Sequence, residues 1–98
     1  MIAAFSVTPL GAGDSVADLV AEAVRIVRDS GLPSETNAMF TNVEGEWDDV
    51  MRVIHDCVDI VAQRAGRVSV VIKLDVRGGI TGMMEEKVRA VERRLERD

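Results

Sequence analysis

"FTNVEGEWDDVM", Phe40 to Met51, is the stretch on which the architecture turns. A short β-prone run reaches Val43, passes through Glu44-Gly45-Glu46, and enters a helical pattern that opens on Trp47, the single tryptophan. Downstream, Trp47, Val50, Met51, Ile54, Cys57, Val58 and Val61 recur at helical spacing and predict a helix over 46–64. Glu46, Asp48 and Asp49 fall in its first turn, where carboxylates complement the positive end of the helix dipole, and Gly66 ends it. "RVSVVIKLDVR", Arg67 to Arg77, then alternates with period two. Val68, Val70, Ile72, Leu74 and Val76 share one face, and Ser69, Val71, Lys73, Asp75 and Arg77 the other. After "GGITG" a last helix over 83–97 carries Val88, Val91 and Leu95 on a narrow apolar edge.

Upstream, "SETNA" and "FTNVEG" predict a hairpin turning near Met39 and Phe40, with no Asn-Gly or Asp-Gly to mark the turn. Before it, Val16, Leu19, Val20, Ala23, Ile26 and Val27 form a helical stripe. Ser15 and Asp18 resemble a capping box at its start, and Gly31 and Pro33 stop it. "MIAAFSVTPL" is a strand with Ala3, Phe5 and Val7 on one side and Ala4, Ser6 and Thr8 on the other, ended by Pro9 and "GAG". The order is βαββαβ plus one helix, which predicts an α+β, ferredoxin-like sandwich. Two helices cover one face of a four-stranded antiparallel sheet, and the other face shows Ala4, Ser6, Thr8, Ser69, Val71, Lys73 and Asp75.

The 98 residues make one domain, 1–98. Aromatics are 3%, so the core is aliphatic. A net charge of −5 argues against a nucleic-acid backbone or an anionic membrane as partner. The arginines near the C-terminus alternate with Glu85, Glu86, Glu92 and Glu96, the pattern of a solvated helix face. No apolar run approaches the ~18 residues of a membrane span. "MIAAFSV" lacks the basic start and length of a signal peptide, and one cysteine suits a reducing compartment, so the cytoplasm is expected.

No catalytic constellation emerges, and no metal or cofactor is expected. His55, the only histidine, lies mid-helix beside Asp56 and reads as a surface residue. Cys57 falls on the apolar stripe and reads as a small buried hydrophobe rather than a nucleophile. Zinc needs more Cys or His than the chain has, and "GAG" lacks a full glycine fingerprint or a P-loop lysine. Asp75 and Arg77, on one side of a strand, pair with each other or across the sheet.

"TNVEGEW" carries two readings. In the structural one, Gly45 serves a tight strand-to-helix turn and Trp47 anchors the core in register with Val50, Met51 and Ile54. In the functional one, Thr41 and Glu44 end a central strand whose uncovered side already bears Ser6 and Thr8. Hydroxyls and one carboxylate beside Met39 and Phe40 suit a flat, polar heteroaromatic cation. The core role is expected for Trp47, and a binding role for the hydroxyls and Glu44.

Four stretches, "SVTPLGAGDSVADLVAEAVRIVRDSGL", "TNVEGEWDDVMRVIHDC", "RVSVVIKLDVRGG" and "MEEKVRAVERRL", resemble in order the YkoF-like thiamine-binding family. The resemblance implies a cytoplasmic, non-catalytic protein that binds thiamine or its hydroxymethylpyrimidine moiety and forms dimers or tetramers by sheet packing. By position, Ser6, Thr8, Thr41 and Glu44 fall on the family's motif stretches, with Met39 beside them. The family usually has glycine after the hairpin methionine; Phe40 stands there in this chain, narrowing the pocket or lending it a stacking surface. The alternative is a structural or regulatory homo-oligomeric module whose polar sheet face serves assembly alone.

Overall fold

Two long strands, β1 (Ile2–Leu10) and β4 (Arg67–Asp75), pair along their whole length in the computed structural model, which describes residues 1–11, 13, 16–79 and 81–97. On the other side of β1 lies β3 (Thr41–Glu44), and outside it β2 (Ser34–Thr36). The strand order is β2-β3-β1-β4 and every neighbour is antiparallel. Helices α1 (Val16–Asp29) and α2 (Trp47–Ala62) pack together over one face, and α3 (Met83–Glu96) follows β4. This is the ferredoxin-like α+β arrangement that the order of elements predicts. The capping role expected of Ser15 lies outside the described residues.

The core joins Ala3 and Phe5 of β1 and Val43 of β3 to Leu19, Ala23 and Val27 of α1 and Val50, Ile54, Cys57 and Val61 of α2. Its aliphatic character leaves Phe5 as the one buried ring among them. The Cys57 thiol donates to the Ala23 carbonyl at 3.3 Å, and burial, helped by the charge of Asp56, pushes its pKa up to about 11. A thiol so protonated is a packing group, inert as a nucleophile.

The hairpin turns without glycine because Asn37 replaces a backbone acceptor with a side chain. Its Oδ1 accepts from the Met39 N–H at 2.9 Å and the Phe40 N–H at 3.0 Å, and its own N–H donates to the Phe40 carbonyl at 3.0 Å. Gly45 is not in the left-handed region; its smallness is what counts. A Cβ there would sit 3.2 Å from Leu32 Cδ2, and the residue pairs with Met1 through two main-chain bonds of 3.0 Å.

Pro9 does not end β1, which runs on to Leu10. Met1 and Gly45 exchange both main-chain hydrogen bonds, so on β1 the odd residues aim their main-chain groups at β3 and the even ones at β4. The β3 ladder stops at Phe5↔Thr41, and the N–H that Pro9 lacks would have pointed past that end, with no β3 residue opposite to accept it.

Glu44 attaches α3. It is buried at 6% exposure, and its Oε2 accepts from the Met83 N–H at 2.6 Å while Oε1 faces the Met84 N–H at 3.5 Å. Gly82, the residue at the helix start, has no side chain to do this, so a strand distant in sequence supplies the cap and its negative charge. Lys87 pairs with Asp75, holding that carboxyl below the usual aspartate range through its hydrogen bond and charge. Beyond these contacts α3 buries nothing: Val88, Val91 and Leu95 are exposed. Glu44→Gln is therefore expected to keep the fold but loosen α3, at about 1 kcal/mol. Amide hydrogen exchange at Met83 and Met84 checks this, and unchanged protection there would contradict the clasp.

Candidate functional site

The shortness of β3 opens a cavity. Beside the half of β1 that β3 leaves unpaired, α1 stands on one side and the hairpin tip, 37–40, on the other. They enclose about 230 Å³, and the opening wraps around the free edge of β1, so residues from both of its faces contribute. Ser6, Thr8, Met39 and Thr41 all line this cavity. Thr41 Oγ1 lies 3.3 Å from Thr36 Oγ1, which holds its hydroxyl across the hairpin. Phe40, half-buried, forms part of the wall rather than filling the space, and Met39 stands exposed at the rim.

Glu44 does not join them. Thr41 is in register with Phe5, on the helix-covered face, whereas Glu44 aligns with Ile2 and Asp75 on the opposite one. Three residues of strand also separate the two, roughly 10 Å. The expectation that Thr41 shares the side of Ser6 and Thr8 is thus corrected by strand register, whereas Glu44 does lie on their side of the sheet, at the far end from them. Glu44 is taken up by the start of α3.

Residue type did not point to Val20, Val24 or Asn37, which also line the cavity. Val20 reads as a core position from its helical spacing, yet it is 39% exposed. It lies over the part of β1 beyond the end of β3, in the wall of the cavity. A valine on a helix stripe carries no signal that distinguishes a core contact from a cavity wall.

Two larger hollows border the open sheet face and the start of α2. A groove of about 310 Å³ on the open face lies between Ala4, Asn42 and Lys73 of the sheet and Met84 and Lys87 of α3. Lys87 and Asp75 neutralise each other there, and Glu35 and Lys73 also line it. The other, about 370 Å³, is lined by Met1, Gly45, Trp47, Val76 and Arg77. His55 lies exposed beside Asp56, Nδ1 to Oδ1 3.4 Å, and among the described residues no three potential ligands cluster to hold a metal.

Trp47 itself is 52% exposed, a correction to its expected place in the core. It is the first residue of α2, and the helix reaches the core only with Val50, one turn later. Helical spacing gives the right angular position but not the right depth. Trp47→Ala is accordingly expected to cost about 1 kcal/mol or less, against the ~3–5 kcal/mol of a buried tryptophan. Denaturant unfolding distinguishes the two, and a loss in the larger range would return the indole to a core role.

Comparison with known proteins gives this geometry a family. The model of a family described as thiamine-binding protein matches residues 3–92. The UPF0045 protein Mb1933 of Mycobacterium bovis is 56% identical over 96 residues, covering 97% of this chain and 94% of that protein. The crystal structure of the hypothetical protein MJ1052 of Methanocaldococcus jannaschii superposes with a TM-score of 0.84 at 32% identity, covering 93% of this chain and 94% of that one. A Thermotoga maritima protein, provisionally assigned to thiamine biosynthesis or salvage, superposes at 0.78 with 25% identity over 92% of this chain and 96% of that one. With the family model matched over nearly the whole chain and relatives similar along their length, the protein belongs to the thiamine-binding protein family.

Proposed function

We propose that the protein is a non-catalytic binder of thiamine or its hydroxymethylpyrimidine moiety, acting in the cytoplasm, and that the ligand enters the cavity between β1, α1 and the hairpin. The observation that carries this is the convergence of three hydroxyls, Ser6, Thr8 and Thr41, with Met39 and Phe40 on one concavity. Hydroxyls serve as donor or acceptor, as an aminopyrimidine requires, and the sulfur and ring offer faces for stacking. About 230 Å³ is below the usual range for drug-sized ligands and suits a single ring. The pyrimidine fills it, and the thiazolium rests at the mouth near Met39. Glu44, occupied at α3, leaves the cation to be met by the Phe40 ring and by water.

Among the described residues no lysine or arginine lines the cavity, so a diphosphate gains nothing there. Calorimetry is expected to show heat with thiamine and with hydroxymethylpyrimidine, and no tighter binding of thiamine diphosphate. Thr41→Val removes a neutral hydrogen bond of ~1 kcal/mol and is expected to weaken binding about fivefold. No heat at millimolar ligand would end this reading.

The same proposal includes a homo-oligomer, a dimer or tetramer. Its support is apolar surface that a lone chain leaves in water: Val71 on the open sheet face, the Val70 and Ile72 side of edge strand β4, and the Val88–Val91–Leu95 edge of α3. This apolar surface also favours the second reading, an assembly module with no small ligand. Mass spectrometry of denatured purified protein separates the two by the presence of a retained pyrimidine. Sedimentation at micromolar concentration is expected to give species heavier than the 10.7 kDa chain, and a monomer alone would reject assembly.

A further inference from the structure

We infer that the unpaired main-chain N–H and C=O of Val7, on the open edge of β1, recognise a heteroaromatic ligand that carries a ring-nitrogen acceptor beside an amine donor. The inference rests on the binding role proposed for this cavity and assigns its specificity to backbone rather than side chains. Strand pairing leads to it directly. Met1 and Gly45 form a hydrogen-bonded pair, and the register continues without a break through Ala3↔Val43 and Phe5↔Thr41. In an antiparallel ladder each residue aims its N–H and C=O to the same side, and successive residues aim oppositely. Residue 7 therefore faces the side of β3, past the point where β3 ends. On the other side the ladder to β4 runs unbroken to Leu10↔Arg67, so no bulge shifts the alternation.

Among the described residues neither polar group of Val7 has a hydrogen-bond partner, and Val7 is half-buried in the cavity wall. The next residue facing that way is Pro9, which offers a carbonyl and no donor. The open edge thus presents one donor at Val7 with acceptors on either residue. Proline also makes it a poor template for an added strand, which favours a small planar ligand over an extended peptide.

An aminopyrimidine meets this edge in one plane. The Val7 N–H donates to the ring nitrogen, and the exocyclic amine donates to the Val7 carbonyl. Water satisfies the same groups in the free protein, so the gain comes from burying the ring against Phe40 and the valines of α1 while replacing those bonds. The order of donor and acceptor sets the specificity. In the 4-oxo analogue the ring nitrogen carries hydrogen and an oxygen replaces the amine, so donor meets donor and acceptor meets acceptor.

Val7→Pro deletes the N–H and leaves the ladder to β4 intact, as Pro9 does two residues on. Val7→Ala trims the side chain and keeps the N–H. Thiamine is expected to bind Val7→Pro about tenfold or more weaker than Val7→Ala, which also trims the cavity wall but keeps the N–H. The 4-oxo analogue is expected to lose at least tenfold on wild type. In amide spectra of wild type, the Val7 N–H is expected to move downfield and exchange more slowly with thiamine bound. Should Val7→Pro not fold, the analogue and the Val7 resonance decide. Thiamine bound with an unmoved Val7 resonance, or the 4-oxo analogue bound as well as thiamine, overturns the backbone assignment alone. Wild type that binds neither thiamine nor hydroxymethylpyrimidine defeats the binding role and this inference with it.

Discussion

A mismatch in strand length organises this molecule: β1 has nine residues and its neighbour β3 has four. On the β4 side every residue of β1 is paired, which makes that pair the rigid axis of the sheet. On the β3 side pairing ends at Phe5, and the remaining edge has to face a helix, a loop and solvent. Helix α1 borders that region, where Val20 is half-covered and lines the concavity. The hairpin tip closes the side. A longer β3 would fill the space with a ladder and pair the main-chain groups of Val7 that stand open here.

The other end of β3 carries a second constraint. Glu44 is a buried carboxylate, and a buried charge is costly unless its oxygens are engaged. The main-chain N–H groups of Met83 and Met84 at the start of α3 meet that need, and Glu44 in turn meets theirs. Thr41, at the cavity, and Glu44, at the anchor of α3, therefore sit on opposite faces and opposite ends of one four-residue strand. Gly45, directly after it, lets Leu32 approach closely and pairs with Met1, so the strand end is held from both sides. The crowding of Thr41, Glu44 and Gly45 in sequence reflects three separate duties: cavity wall, helix clasp and close packing.

Periodicity alone determined the elements. The alternation of Ile2 to Thr8 and of Val68 to Val76, and the 3.6-residue stripes of Leu19-Ala23-Val27 and Val50-Ile54-Cys57-Val61, are local properties, and the structure has those strands, helices and core residues where they predict them. The ferredoxin-like topology follows from their order, because two helices between strands and a central hairpin leave few ways to cover one sheet. Motif resemblance added the family, and four of the five expected ligand residues do line one cavity.

What remained for tertiary structure was register, depth and edge. Whether Thr41 faces Phe5 or Ser6 depends on pairing between strands dozens of residues apart, and a slip of one residue would exchange the faces. Trp47 has the angular position of a core residue but lies a turn outside the core, because helical period says nothing of where a helix starts relative to the sheet. Glu44 reads as a ligand carboxylate until α3, about 40 residues on, is seen to occupy it. The unpaired groups of Val7 belong to the backbone, which every residue shares, so no side-chain pattern marks them; they are set by where a neighbouring strand stops.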